Sequence, residues 1–450
     1  MKKIFYHLII FFSIITQPLF AQWSELGGLN ALAANPGINS VCSDAAGNIY
    51  AAGFFTNSSG KRYVAKWNGS TWSELGGLNG LSANHNINSV CSDAFGNIYA
   101  GGLFTNTSGK RYVAKWDGTI WSELGGLNGL AANNPIATVC SDASGNIYTT
   151  GNFTNSSGKY YVAKWDGSTW SELGGLNGLA PIGTIKPICA DASGNVYAAG
   201  MFYNSSFYFY VAKWNGSNWS ELGGLNGLAA NGVIQCTCCD ASGNIYAAGQ
   251  FMNSSGNRYV AKWNGSSWSE LGGLNGLSAN NIVYSIYSDA SNNIYAAGAF
   301  TNSSGKYYVA KWDGSTWSEL GGLNGLAANN YVYSICSETS GNIYTAGDFT
   351  NSLGNKYVAI YSTSSGIKNI LSDNLLQLFP NPTTDEIRVQ LQRSKIKSIA
   401  LLDVKGKKVL SEDNVNKNVI TLNVSNLEAG MYFVKLFDGE KIFNQKIIVE

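Results

Sequence analysis

The string Trp-Ser-Glu-Leu-Gly-Gly begins at Trp23 and returns at Trp72, Trp121, Trp170, Trp219, Trp268 and Trp317, each time 49 residues on. A period that never slips over seven copies requires every copy to occupy an equivalent place in a closed or stacked array. Composition agrees with short strands and tight turns. Charged residues make up only 13 % of the chain, about half the globular norm, while there are 53 glycines and 13 tryptophans. The formal charge is +1, and no segment is basic enough to form a nucleic-acid face.

Within one repeat, residues 38–76 hold four short apolar-rich runs: Ile38–Asp44, Asn48–Phe55, Arg62–Trp67 and Trp72–Gly76. Between the first two stands Asp-x-x-Gly-Asn. Gly47 supplies a positive φ there, Asn292 replaces the glycine in the sixth copy, and the Asp44 carboxylate can cap the turn amides. One carboxylate per turn is too few oxygens for a calcium loop, so no metal site is expected. Asn68-Gly69 and its counterparts, such as Asp117-Gly118, are hairpin signals between the last two runs. Each repeat therefore predicts a four-stranded antiparallel meander, strands a to d, with strand a apolar on both faces and buried on both. Such sheets packed radially make a β-propeller.

The ends set the count. The repeat region opens on a strand d (Trp23–Gly27), and the last copy has strands a to c (Tyr331–Ser337, Asn342–Phe349, Lys356–Tyr361) but no d. The first strand is expected to complete the last sheet, giving seven blades and leaving no open edge. Asp142-Ala143-Ser144-Gly145-Asn146-Ile147-Tyr148, followed by Gly151-x-Phe153, resembles the repeat of exported bacterial seven-bladed β-propeller proteins over residues 23–361. That resemblance implies a fold and rarely a function.

The flanks differ from the repeats. Lys2, Lys3, the mostly apolar Ile4–Phe20 and Leu19-Phe20-Ala21 read as a signal peptide over 1–21. His7, Ser13, Thr16, Gln17 and Pro18 interrupt the run, which falls short of the ~20 apolar residues of a membrane span, and no transmembrane segment is expected in the mature chain. The propeller is expected over 22–361, a Ser-rich linker over 362–370 and a second domain over 371–450. In the last, Leu376–Phe379, Glu386–Leu391, Ser398–Asp403, Lys407–Leu410, Val419–Val424, Met431–Phe437 and Lys441–Val449 suggest a small Ig-like β-sandwich. Phe379-Pro380-Asn381-Pro382, Leu402–Lys407, Leu427–Lys435 with Gly430 and Tyr432, and Lys446–Val449 closely resemble the type A sorting domain of the type IX secretion system. The resemblance implies passage across the outer membrane and removal of the domain by a sortase-like peptidase. The protein is then released or joined to surface lipopolysaccharide, so it is expected secreted or attached at the outer-membrane surface.

Chemistry is sparse. His7 and His85 are the two histidines, which leaves a His-based triad or multi-His zinc site nearly excluded. No phosphate loop or local carboxylate pair appears, so no catalytic residue and no cofactor is assigned. Cys42, Cys91, Cys140, Cys189, Cys238 and Cys336 share one repeat phase, with Tyr287 in the remaining copy. Facing sheets lie roughly 10 Å apart, beyond the ~7 Å a disulfide spans, although sheets crowd closer near a central axis, and packing is the reading for these. Cys236 and Cys239 break the pattern, and a bridged or redox-active pair stays open for them.

The a–b and c–d turns are nearly uniform among copies, but the opposite rim varies. The phase of Asn39 reads Asn39, Asn88, Ala137, Lys186, Gln235, Tyr284 and Tyr333. His85 and Tyr331 precede it in their copies, and Phe207, Tyr208 and Phe209 replace small or polar residues in the b–c connection of the fourth. Loops on a rigid frame commonly carry binding, and aromatic residues there are anchor candidates, the alternative being neutral drift in loops that no packing restrains. Three functions follow: a surface binding or adhesion module for polysaccharide or protein, an exported carbohydrate-active hydrolase or lyase, or a structural surface protein. The residues favour binding over catalysis.

Overall fold

A computed structural model describes residues 22–28, 31–362, 376–391, 394–404, 406–439 and 442–450. The expected signal peptide and nearly all of the expected linker lie outside these residues. The chain divides into two compact units, Met1–Ser364 and Ser365–Glu450.

The turns cut each repeat where the sequence places them. In blade 1, strand a is Ile38–Ser43, b is Ile49–Gly53, c is Ala65–Trp67 and d is Trp72–Glu74. Asp44 makes the a–b turn: its Oδ1 accepts from the amides of Ala46 (3.0 Å) and Asn48 (2.9 Å), and its Oδ2 from Asn48 Nδ2 (2.7 Å) and the Tyr50 hydroxyl (2.8 Å). Burial pushes the Asp44 carboxyl up, but the hydrogen bonds from Asn48 and Tyr50 outweigh it and hold it below its ordinary value. Asp191 is held down in the same way.

Seven four-stranded antiparallel sheets result, six in the order a-b-c-d. The seventh takes its outer strand from the start of the chain, with Trp23, Ser24 and Glu25 paired to Tyr361, Ile360 and Ala359. The ring is thereby closed, and the strand is locked by more than its ladder. Trp23 and Leu26 are buried, and Trp23 Nε1 donates to Leu320 O at 2.8 Å.

Two expectations are corrected. Strand b, not strand a, is buried on both faces: Ile49–Gly53 is buried throughout, whereas Ile38–Ser43 is half-buried at four of its six positions. Strand a is innermost and faces an axial channel, so one of its faces stays wet. Strand c is also shorter than expected. Arg62 leaves the ladder to bridge Thr56 and Ala83, tying the b–c connection to the d–a connection. Only in blade 6 does strand c extend back, to Tyr307–Trp312.

Between blades, Phe55, Phe104, Phe153, Phe202, Phe251, Phe300 and Phe349 are fully buried. Each stands edge-on to a tyrosine two residues before the strand-c alanine, as Phe55 does to Tyr63 at 4.9 Å. Burial of each such ring contributes about 1.5–3 kcal/mol. Gly76 shows how closely the outer strands fit. It holds φ +89°, and a Cβ there would lie 2.8 Å from the Trp116 ring and 3.0 Å from Trp121.

The C-terminal unit is a two-sheet sandwich. One sheet joins Leu376–Phe379, Glu386–Leu391 and Val419–Asn423, and the other joins Lys408–Lys417, Ile396–Leu402, Gly430–Phe437 and Ile442–Val449. Ile387, Val389, Leu401, Val434, Leu436 and Ile447 are among its buried core. The strand expected at Lys407–Leu410 runs on to Lys417. Its polar half serves as a charged edge on Ile396–Leu402, which needs no apolar alternation.

Trp23→Ala should cost about 3–5 kcal/mol of stability, as loss of a buried tryptophan does. Deleting residues 22–28 should leave Ala359–Tyr361 as an open edge and cause aggregation; unchanged melting and solubility would contradict the closed ring. The depressed carboxyls of Asp44 and Asp191 contribute stability above the ordinary value of 3.8 and lose it as pH falls through their lower folded values. The melting temperature should therefore hold from neutrality to about pH 4 and drop below it, and Asp44→Asn should lessen that drop.

Candidate functional site

The first residues of the seven strands a meet at one mouth of the channel. Side chains alternate along a strand, so the residue after each buried Ile or Val at the strand start points to the axis. Asn39, Asn88, Ala137, Lys186, Gln235, Tyr284 and Tyr333 thus line one cavity of about 520 Å³. The sequence singled out this phase by its variability, and the fold makes it a single surface.

The lining is two-sided. In blades 4 and 5, Lys186 Nζ donates to Gln235 Oε1 at 2.9 Å. Desolvation by the surrounding walls lowers the Lys186 ammonium from its ordinary pKa, and nearby Cys236 opposes this. Among the described lining residues, Lys186 carries the only formal charge. In blades 6 and 7 the wall is aromatic. Tyr284 meets Tyr333 at 5.6 Å and Tyr331 at 6.1 Å, and Tyr331 meets Tyr307 at 5.4 Å. The Tyr333 hydroxyl donates to Asp348 Oδ2 at 2.9 Å. Burial and Asp348 push the Tyr333 hydroxyl well above its ordinary range. In blades 1 and 2, Asn39 and Asn88 turn to the next blade, donating to Ile87 O and Ile136 O.

The remaining candidates sit elsewhere on the rim. Phe207 is 76 % exposed and Tyr208 is 39 % exposed over blade 4. Phe209 is half-buried, packs on the layer between blades 4 and 5 and bridges Ala230. His85 is exposed in the d–a connection of blade 2, where its Nδ1 accepts from the Asn86 amide at 2.8 Å; it is not among the cavity residues. Sequence reasoning missed Tyr203, which meets Phe207 at 5.6 Å and Phe209 at 6.1 Å, and Asp348. Comparing phases would have found both, since Tyr203 stands where five other blades have threonine and Asp348 stands where blade 1 has Phe54.

Chemically, the mouth offers rings to stack, amides to hydrogen-bond and one cation. It has no pair of carboxylates to flank a glycosidic bond. Among the described residues, no cluster of three or more His, Cys, Asp or Glu could hold a metal.

In the C-terminal unit the motif residues converge on the last strand. Asn381 Nδ2 donates to Lys446 O at 3.0 Å, and Asn381 Oδ1 accepts from the Ile448 amide at 2.9 Å. Pro380 and Pro382 flank this bridge. Gly430 pairs with Val449 and Tyr432 with Ile447, and the Tyr432 hydroxyl donates to Glu428 O at 2.8 Å. Lys446 itself is exposed on that strand.

Residues 377–450 match the family of secretion system C-terminal sorting domains. No curated protein matches the chain. Among solved structures, one that it resembles is the extracellular domain assigned to a hybrid two component system, BT3049, from B. thetaiotaomicron. The TM-score is 0.48 at 12 % identity, over 95 % of this chain and 57 % of that one. A second is the WD40 beta propeller domain of Doa1, with TM-score 0.49 and 12 % identity over 77 % of this chain and 98 % of that one. A third is a PL25 ulvan lyase, with TM-score 0.42 and 12 % identity over 74 % and 94 %. The chain spans little more than half of the first of these, and at such values none carries an argument about activity. The propeller rests on its own seven sheets.

The sorting domain marks the protein for export by the type IX system, to the cell surface or beyond it. No helix among the described residues is long and apolar enough to cross a membrane. Removing residues 371–450 should leave a folded propeller stranded in the periplasm, because the two units are separately compact. Mass spectrometry of the exported wild-type protein should find a new C-terminus between Ser362 and Asp373. Normal surface delivery of the truncated chain would refute this.

Proposed function

We propose that this protein is an exported binding module whose propeller holds a polysaccharide at the variable mouth of its channel. The observation that carries the reading is the two-sided lining. Tyr284 and Tyr333 form a wall on two adjacent blades, with Tyr331 packed against both, and Lys186 and Gln235 form a hydrogen-bonding wall on two others. Rings that stack, beside groups that hydrogen-bond, suit a sugar, which has apolar faces and a hydroxyl edge. The cavity of about 520 Å³ lies within the range that small-molecule sites occupy.

Backbone strain supports a role for the outer aromatics. Phe207 holds φ +64° where the other six blades have glycine. A left-handed conformation costs a non-glycine residue roughly 1–2 kcal/mol, and this one leaves its ring largely in solvent. Strain kept at an exposed aromatic is the pattern of a functional contact.

A glycan array run beside a hydrolase and lyase panel on the propeller tests the reading. Retention of a glycan without turnover is expected; turnover would make the protein an enzyme, and capture of a protein alone would change the ligand class. With the retained glycan as probe, Phe207→Gly with Tyr208→Lys should weaken binding by about 1–3 kcal/mol, as loss of anchor residues does. Stability should hold or rise slightly, because glycine relieves the strained φ. Binding that persists while the fold collapses would make these rings packing residues.

A further inference from the structure

Two cysteines one residue out of phase in the repeat come to face each other. Strand a of blade 4 ends in Cys189-Ala190, and strand a of blade 5 ends in Cys238-Cys239. Cys189 shares the phase of Cys238, and strand residues alternate between faces. Cys189 therefore looks from blade 4 towards blade 5, while Cys239 looks back from blade 5 towards blade 4. Both pack on the one apolar layer between these blades, with Tyr197, Ile234 and Ile245. Cys239 Sγ lies 3.2 Å from Ala190 O, the carbonyl beside Cys189. Contact with Cys189 and then burial push the Cys239 thiol far above its ordinary pKa. Cys236 is not the partner, because its Sγ points to Ala248 O at 3.6 Å and Val283 O at 3.7 Å.

The other blades show what the position ordinarily does. Ser43, Ser92, Ser141, Ser288 and Ser337 stand at the phase of Cys239. The first three donate to a carbonyl of the preceding blade, at 2.6, 2.6 and 2.8 Å. A thiol is a weak donor, and Ala190 in blade 4 has none. The seam between blades 4 and 5 thus lacks a hydroxyl latch where two sulfurs adjoin.

We propose that Cys189 and Cys239 form a disulfide on export, joining the innermost strands of blades 4 and 5. The two thiols lose two protons and two electrons as the S–S bond forms. The acceptor is a disulfide of the oxidising export compartment, whose own S–S bond opens to two thiols. The exchange belongs to folding, before burial suppresses the thiolates. Lys186 and Gln235 lie on the same two strands, so the bond sets the spacing of that pair at the channel mouth, whatever ligand the mouth holds.

The test is alkylation of the full-length exported protein, unfolded without reductant. Two fewer labels than the eight cysteines are expected, and a peptide map should link Cys189 to Cys239. Cys239→Ser installs the residue used by five other blades and should label at every remaining thiol. Reductant should speed denaturant unfolding of the wild type by roughly tenfold or more and leave this variant unaffected. Eight labels on the wild type, or a bridge between any other cysteines, would overturn the proposal. If the variant fails to fold, the wild-type peptide map decides alone.

Discussion

Each outermost strand carries a tryptophan whose indole grips the blade before it, and the ring exists because that chain of contacts has no end. Trp72 Nε1 donates to Leu26 O, Trp121 to Leu75 O, and so on through Trp317 to Leu271 O. Trp23 supplies the missing link to Leu320 O. A propeller blade cannot bury both faces alone, so every blade depends on two neighbours. Closure converts that dependence into mutual support. Without Trp23–Glu25, blade 7 would end on an open strand, and Leu26 O would not be placed for Trp72.

The same economy explains why one rim is uniform. Turn residues there are committed to hydrogen bonds: Asp44 alone accepts four, and its counterparts Asp93, Asp142, Asp191, Asp240 and Asp289 repeat the set. The opposite rim is held by backbone pairs such as Arg62 with Ala83 and by a repeated side-chain set in which Asn57 donates to Glu74 and Asn79, and the phases of Asn39 and Phe207 supply no side chain to either. Variation at Lys186, Gln235, Tyr284, Tyr333 and Phe207 therefore leaves the frame intact. A rigid closed ring with one free face is a general solution for presenting different side chains on equivalent positions. The cysteine seam fits the same frame, since it lies in the strands that carry Lys186 and Gln235.

Repeat period, turn residues and the split seventh blade were legible in the sequence because each is a local or strictly periodic signal. The bounds of strand c were not. Arg62 carries a strand-like pattern, but its amide and carbonyl pair with Ala83 of a different connection. The polar stretch of Lys408–Lys417 likewise reads as loop, and only its partner strand Ile396–Leu402 makes it an edge. The phase of Asn39 was visible as a list of variable residues, without any sign that the seven side chains share one cavity.

The sequence by itself determined seven equivalent sheets, their closure and the sorting domain, because those follow from spacing, turn chemistry and motif. The tertiary structure alone decided that strand b is the dry one while strand a lines a channel. It also decided that Cys239 adjoins Cys189 and that a lysine faces a tyrosine wall. These are distances between residues dozens to hundreds of positions apart. They are fixed by how twisted sheets pack around an axis, a constraint no local window of the chain contains.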